Sequence, residues 1–202
     1  TALDINVGAE LNIVERALDQ VGIGFLFAPS LHKAMKHAIG PRREIGIRTF
    51  FNMIGPLTNP AGAYRQLMGI FSPEWTEKIA YVMKSLGTNR AFVVHGLDGM
   101  DEITNTGETQ ISELKDGSIK TFTVKPEDYG LTRCSIDEIS GGDINDSVES
   151  ALNIFKGDKG PKRDIVLLNS AAAIVISGKA NKIEAGIKLA EKSIDNGNAL
   201  KK

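Results

Sequence analysis

Two groups of side chains in this 202-residue chain have types and spacings suited to chemistry. Asp101 and Glu102 are adjacent in a glycine-flanked stretch, GLDGMDEIT, directly after the apolar run RAFVVHG. Side chains at the C-terminal end of a strand face the usual ligand crevice of an α/β sheet. Mg2+ is a hard ion that keeps several waters and takes one or two carboxylates plus substrate phosphate oxygens, so an acidic pair in a loop is a sufficient protein contribution. The same spacing also suits an ordinary loop, with turns at Gly96 and Gly99 and with Asp98, Asp101 and Glu102 in water.

The second group is cationic. His32, Lys36, Arg42 and Arg43 lie close together, and Arg42 follows Pro41, where a helix start leaves backbone N–H groups free for an anion. A guanidinium holds a carboxylate through two parallel hydrogen bonds, so one such arginine can orient an aromatic acid. On the spacing alone, a solvated basic helix face is the favoured reading. Arg48, Asn52, Thr58 and Asn59 read as turn-capping residues, and His37, His95 and Cys134 have no partner at a spacing that suggests catalysis.

These side chains need elements to carry them. Ala9 to Gln20 places Leu11, Val14 and Leu18 on one stripe, which predicts an amphipathic helix, and Ile23 to Ala28 then reads as a buried strand. LHKAMKHAI predicts a helix interrupted at Gly40-Pro41, with another beginning at Pro41, and Gly55-Pro56 together with Asn59 to Gly62 predict an irregular loop. Tyr64 to Phe71, Trp75 to Leu86 and Arg90 to Val94 predict strand, helix and strand. Thr109 to Val124 alternates around Asp116-Gly117 as a hairpin, and three helices follow over Asp146 to Phe155, Arg163 to Ile176 and Asn181 to Asn196. Gly141-Gly142-Asp143 lacks the Lys-Ser/Thr of a phosphate loop and reads as the approach to a helix, while LLNSAAAIVISG reads as a core helix. The fold class expected is therefore α/β, with a mixed, mainly parallel central sheet flanked by helices and carrying an antiparallel hairpin.

Taken in order, HKAMKHAIGPRREIGIRTFFNMIGPLTNP (His32 to Pro60) and VHGLDGMDE (Val94 to Glu102) resemble the anthranilate phosphoribosyltransferase family. The resemblance covers nearly the whole chain and departs at Lys33, where proline is common. It implies a nucleoside phosphorylase/phosphoribosyltransferase-like large domain, of which residues 1–202 are the C-terminal portion, without the helical N-terminal domain and the glycine-rich diphosphate loop. The reaction it implies is transfer of the phosphoribosyl group from phosphoribosyl pyrophosphate to the amine of anthranilate. Asp101 and Glu102 match the family's magnesium-binding pair and carry the metal-assisted catalysis. Arg42 matches the arginine that takes the anthranilate carboxylate, His32 a histidine lining that acceptor's site, and Gly55-Pro56 a loop flanking the same pocket. A homodimer is implied for the full-length enzyme, and the isolated chain is expected to be inactive.

Composition narrows the alternatives. Lys and Arg number 24 against 25 Asp and Glu, so no global positive field favours nucleic acid or a membrane surface. One cysteine cannot form an internal disulfide and no apolar run is long enough to span a bilayer, which predicts a reducing, cytoplasmic setting. The chain opens on Thr1 rather than Met, without a secretory signal pattern, and reads as cut from a longer protein. Two rivals are a pyrimidine nucleoside phosphorylase-like enzyme, which needs a nucleobase pocket and inorganic phosphate, and a non-catalytic nucleic-acid-binding relative, which needs a basic face.

Overall fold

The computed structural model describes residues 2–27, 44 and 51–202. The chain divides into two compact units, Thr1–Gly55 with Lys202, and Pro56–Lys201. The helix expected over 31–39 lies outside the described residues, as does the one expected from Pro41 except at Glu44, which is helical and exposed.

In the first unit, α1 spans Leu11–Gln20. Its expected stripe is only partly buried: Val14 is covered, whereas Leu11 and Leu18 are exposed. The chain then turns back so that Gly24 lies against the helix, where a Cβ would come within 3.1 Å of Leu18 and Val14 side-chain atoms. The strand expected from Ile23 onward does not form over its described part, 23–27. A strand needs a partner for its backbone groups, and none pairs with this segment among the described residues. Ile23, Phe25 and Phe27 stay exposed, and the two phenylalanine rings stack with centroids 6.4 Å apart.

Helix α2, Phe51–Leu57, contains Gly55 and Pro56, so the loop expected there is helical. Proline supplies no N–H to the ladder, and the helix stops one residue beyond it. The turn expected at Asn59 to Gly62 is present: Asn59 Oδ1 accepts from the N–H of Ala61 at 2.9 Å, and its main-chain oxygen from Gly62 at 3.1 Å.

The second unit is built on a four-stranded sheet of order β1 (Arg65–Gly69), β2 (Arg90–Gly96), β3 (Thr109–Lys115), β4 (Ser118–Val124). β1 and β2 are parallel, joined through a 3-10 turn and α3 (Thr76–Ser85), whereas β2–β3 and β3–β4 are antiparallel. The sheet is mixed and helix-flanked as expected, but among the described residues one pairing in three is parallel rather than most. Parallel neighbours need a long crossover, usually helical, and Leu97 to Glu108 instead doubles back to pair Gly96 with Thr109. The hairpin turn Asp116-Gly117 has positive φ at both residues, 50° and 76°, the type I′ geometry that matches strand twist and suits Gly at the second position.

Helices α4 (Ile136–Ile139), α5 (Ile144–Lys156), α6 (Pro161–Ser177), α7 (Ile183–Asp195) and α8 (Asn198–Lys201) complete the unit. Asp143 caps α5, accepting from the N–H groups of Asn145 and Asp146, so the glycine pair before it leads into a helix as expected. One sheet face, with Phe92, Val94, Ile111 and Val124, packs on Leu168, Ala171, Ala172 and Val175 of α6 and Ile187 of α7. Each large apolar side chain so buried contributes on the order of 1.5–3 kcal/mol. The other face, with Ala91, Val93 and Leu114, is covered by α3. Strand β2 is thus covered on both sides, which is why RAFVVHG is apolar without alternation. The small residues of α6 allow α7 to come close: a Cβ on Gly186 would lie 2.7 Å from the Ala171 oxygen.

Candidate functional site

The loop between β2 and β3 begins where the parallel pair ends. Gly96 closes β2 by donating its N–H to Met100 O at 2.8 Å and accepting from Gly99 N–H at 2.8 Å, and Leu97 N–H reaches Glu108 O at 2.8 Å. The loop then passes over the end of β1, so that a Cβ on Gly69 would sit 1.5 Å from the Asp101 oxygen. Gly96 is also tight, since a Cβ there would lie 2.5 Å from Asp98 Oδ1. Both glycines are therefore required by close approach at the C-terminal ends of adjacent parallel strands, the ligand crevice of this class of sheet.

Asp98 organises the loop's interior. Its Oδ1 accepts from Met100 N–H at 3.0 Å, while Oδ2 accepts from the Thr104 hydroxyl at 2.6 Å and, in a short contact, from the Thr106 hydroxyl. Partial burial pushes this carboxyl upward, but the hydrogen bonds from Thr104, Thr106 and Met100 outweigh it and hold it below the ordinary range. Thr104 N–H is taken by Thr109 Oγ1 at 3.0 Å. Asn105 fastens the far end, donating from Nδ2 to Pro161 O at 2.8 Å and accepting Cys134 N–H on its main-chain oxygen at 3.1 Å.

Asp101 is exposed and Glu102 half-buried at the rim of this framework. Among the described residues neither makes an ion pair. Burial, followed by the negative charges of Asp101 and Asp98, pushes the Glu102 carboxyl above its ordinary value. Asn169 of α6 contacts Glu102 Oε2 at 3.4 Å through Nδ2. A half-buried carboxylate next to a second one, with no cationic side chain paired to either among the described residues, is a donor set that fits a hard divalent cation. Among the described residues no group of three or more His, Cys, Asp or Glu side chains could hold a metal by itself, so a cation here takes its remaining ligands from water and substrate.

The remaining predicted residues are not gathered around this loop by anything the structure describes. Gly55 and Pro56 sit in α2, on opposite sides of the boundary between the two units, and His32 and Arg42 lie outside the described residues. An open cleft of about 240 Å3, lined among others by Leu57, Asn59, Tyr64, Gln66 and Thr88, lies at the N-terminal ends of β1 and β2, away from the carboxylates. His95 is buried with Nδ1 2.7 Å from Ile70 O and ties β2 to the segment after β1. Sequence reasoning missed Thr104, Thr106, Asn105 and Asn169 as parts of the site. Only Asn169 carried a signal, as a polar amide within the apolar run LLNSAAAIVISG.

An α/β domain with paired carboxylates at the sheet's C-terminal edge defines a class, and the comparisons give it a family. The family model described as "Glycosyl transferase family, a/b domain" matches residues 1–200, and the chain belongs to that family. Two proteins named anthranilate phosphoribosyltransferase, from Syntrophotalea carbinolica and Citrifermentans bemidjiense, are 51% and 52% identical to it over 100% and 99% of the chain. The chain spans 57% of the length of each. The crystal structure of anthranilate phosphoribosyltransferase from Thermus thermophilus matches with a TM-score of 0.91 at 38% identity, covering 98% of this chain and 59% of that one. The Saccharomyces cerevisiae enzyme in complex with PRPP and Mg matches with a TM-score of 0.88 at 27% identity, covering 99% and 58%. Among the described residues no helix is long and apolar enough to cross a membrane.

Proposed function

We propose that this chain is the C-terminal portion of the α/β domain of an anthranilate phosphoribosyltransferase, which moves the phosphoribosyl group of phosphoribosyl pyrophosphate onto the anthranilate amine in tryptophan biosynthesis. The observation that carries this reading is the likeness to enzymes of that name along nearly the whole chain, at about half the residues. The carboxylate pair at the C-terminal edge of the parallel strands supports it. In this reading Asp101 and Glu102 hold Mg2+, which when bound offsets the charge that builds on the departing diphosphate. Asp98 and Asn169 hold the loop that presents the pair. Arg42 grips the anthranilate carboxylate and positions the amine without moving a proton, with His32, Gly55 and Pro56 around the same acceptor. The aromatic amine brings its own lone pair, so little general-base help is asked of the protein.

The intact protein in this reading is a cytoplasmic homodimer, and the 202-residue chain alone has negligible turnover because the rest of the diphosphate cradle lies outside it. Steady-state activity of the purified 202-residue polypeptide would contradict that last statement. The assignment of roles is tested in the intact protein. Arg42→Ala is expected to raise mainly the KM for anthranilate, and Asp101→Asn with Glu102→Gln to lower kcat and shift the Mg2+ dependence. A change confined to the KM for phosphoribosyl pyrophosphate in the first variant, or an unaltered Mg2+ titration in the second, rejects the corresponding role.

A further inference from the structure

The peptide group that follows Glu102 has no strand to pair with, and a side chain takes that place. Asn169, on α6, accepts Ile103 N–H on Oδ1 at 3.0 Å and donates from Nδ2 to Ile103 O at 2.8 Å. The same Nδ2 donates to Ile165 O, one turn back on its own helix, at 2.9 Å, which orients the amide. Ile103 N–H belongs to the peptide whose carbonyl is that of Glu102, so this bond sets the plane of the Glu102–Ile103 peptide. Nδ2 is also 3.4 Å from Glu102 Oε2, a long contact shared with the two carbonyl bonds.

We infer that Asn169 is a positioning residue for a divalent cation at Glu102, fixing both the main chain and one carboxylate oxygen of that residue from the rigid α6 helix. The inference rests on the reading of Asp101 and Glu102 as cation ligands. Asn169 is only half-buried, yet it spends both its donor and its acceptor group on this one stretch of loop and its own helix. An amide placed beside the apolar run of α6 for packing alone would not need to read both the donor and the acceptor of one loop residue. Ile103 itself is buried, so the anchored residue next to the carboxylate cannot drift without opening the core. Groups that orient a ligand of this kind typically change metal affinity on the order of 10–100-fold when removed.

The test uses Mn2+ alone as the reporter ion, titrated into the intact protein and followed by electron paramagnetic resonance, with far-UV circular dichroism to verify folding. Asn169→Ala and Asn169→Ser, neither of which reaches Glu102, are each expected to raise the Mn2+ dissociation constant on the order of 10-fold. In a Glu102→Gln background, Asn169→Ala is expected to add less than about twofold, because the group it positions is gone. A folded Asn169 variant that binds Mn2+ like the wild type overturns the inference, as does a full additional loss in the Glu102→Gln background. Failure of both variants to fold also overturns it, since Asn169 would then serve the fold alone. Unchanged Mn2+ affinity in Asp101→Asn and Glu102→Gln is a separate result: it removes the carboxylate reading itself, whatever Asn169 does.

Discussion

A Cβ at Gly69 would stand 1.5 Å from the main-chain oxygen of Asp101. The end of β1 and the acidic loop therefore touch through bare backbone, and no side-chain movement relieves a substitution there.

Gly69→Ala must displace the loop, because the atom in the way is a peptide oxygen. Overpacking of this kind costs about 1–3 kcal/mol. A lower thermal midpoint together with weakened Mn2+ binding is the expected outcome, measured by calorimetry and by the same resonance titration. Native Mn2+ affinity in Gly69→Ala would mean that the loop's position does not govern the carboxylates.

Glu102 carries a cost in the absence of metal. Its folded-state pKa lies above the ordinary 4.5, through burial and then the charges of Asp101 and Asp98. Stability from this group is fully present below pH 4.5 and is lost as pH rises through the folded value. At pH 7 metal-free Glu102→Gln is therefore expected to melt at the wild-type temperature or above it, and added Mg2+ to raise the wild-type midpoint more than the variant's. A metal-free variant that melts well below the wild type would contradict this account.

Asp98 holds two hydroxyls and one peptide N–H. Asp98→Ala leaves the Thr104 hydroxyl buried with fewer partners and frees the loop's interior. Faster amide exchange at Met100, Thr104 and Thr106, with unchanged exchange in α7, is the expected pattern. Uniform acceleration across the domain would show a global loss of stability in place of a local one.

Arg163 is almost fully buried and donates to Gly157 O at 3.1 Å and to Asp195 Oδ1 at 2.7 Å, joining the start of α6 to the end of α7. The hydrogen bond from Arg163 holds the Asp195 carboxyl below its ordinary 3.8. A depressed folded pKa gives stability that is present above pH 3.8 and is lost as pH falls through the folded value. Asp195→Asn is expected to lower the melting temperature at pH 7, with the gap to wild type closing in strongly acidic buffer. A gap that stays constant down to that range would remove the ion pair as its cause.

In the hairpin, Gly117 holds φ at 76°. Gly117→Ala forces a Cβ into the left-handed region and is expected to cost roughly 1 kcal/mol in chemical denaturation without affecting Mn2+ binding.

The amino-acid sequence by itself determined the elements whose signals are local. The hairpin was legible because Asp116-Gly117 supplies the positive φ its turn needs, α6 because its apolar run is bounded by Pro161 and Gly178, and the acidic pair because it follows a strand that is apolar on both faces. What failed were readings that depended on partners. Ile23 to Ala28 has strand composition but, over its described part, no neighbour to pair with among the described residues. Gly55-Pro56 has loop composition yet ends a helix. The parallel majority expected of the sheet gave way, among the described residues, because the chain after β2 doubles back instead of crossing over. Only tertiary structure decided that Asp98 is taken up inside the loop while Asp101 and Glu102 remain at its rim, and that an amide from distant α6 acts as the missing neighbour of Ile103. Periodicity and turn chemistry are written in neighbouring residues, whereas burial of a carboxylate and the donors that face it depend on segments brought together only when the sheet and its helices pack.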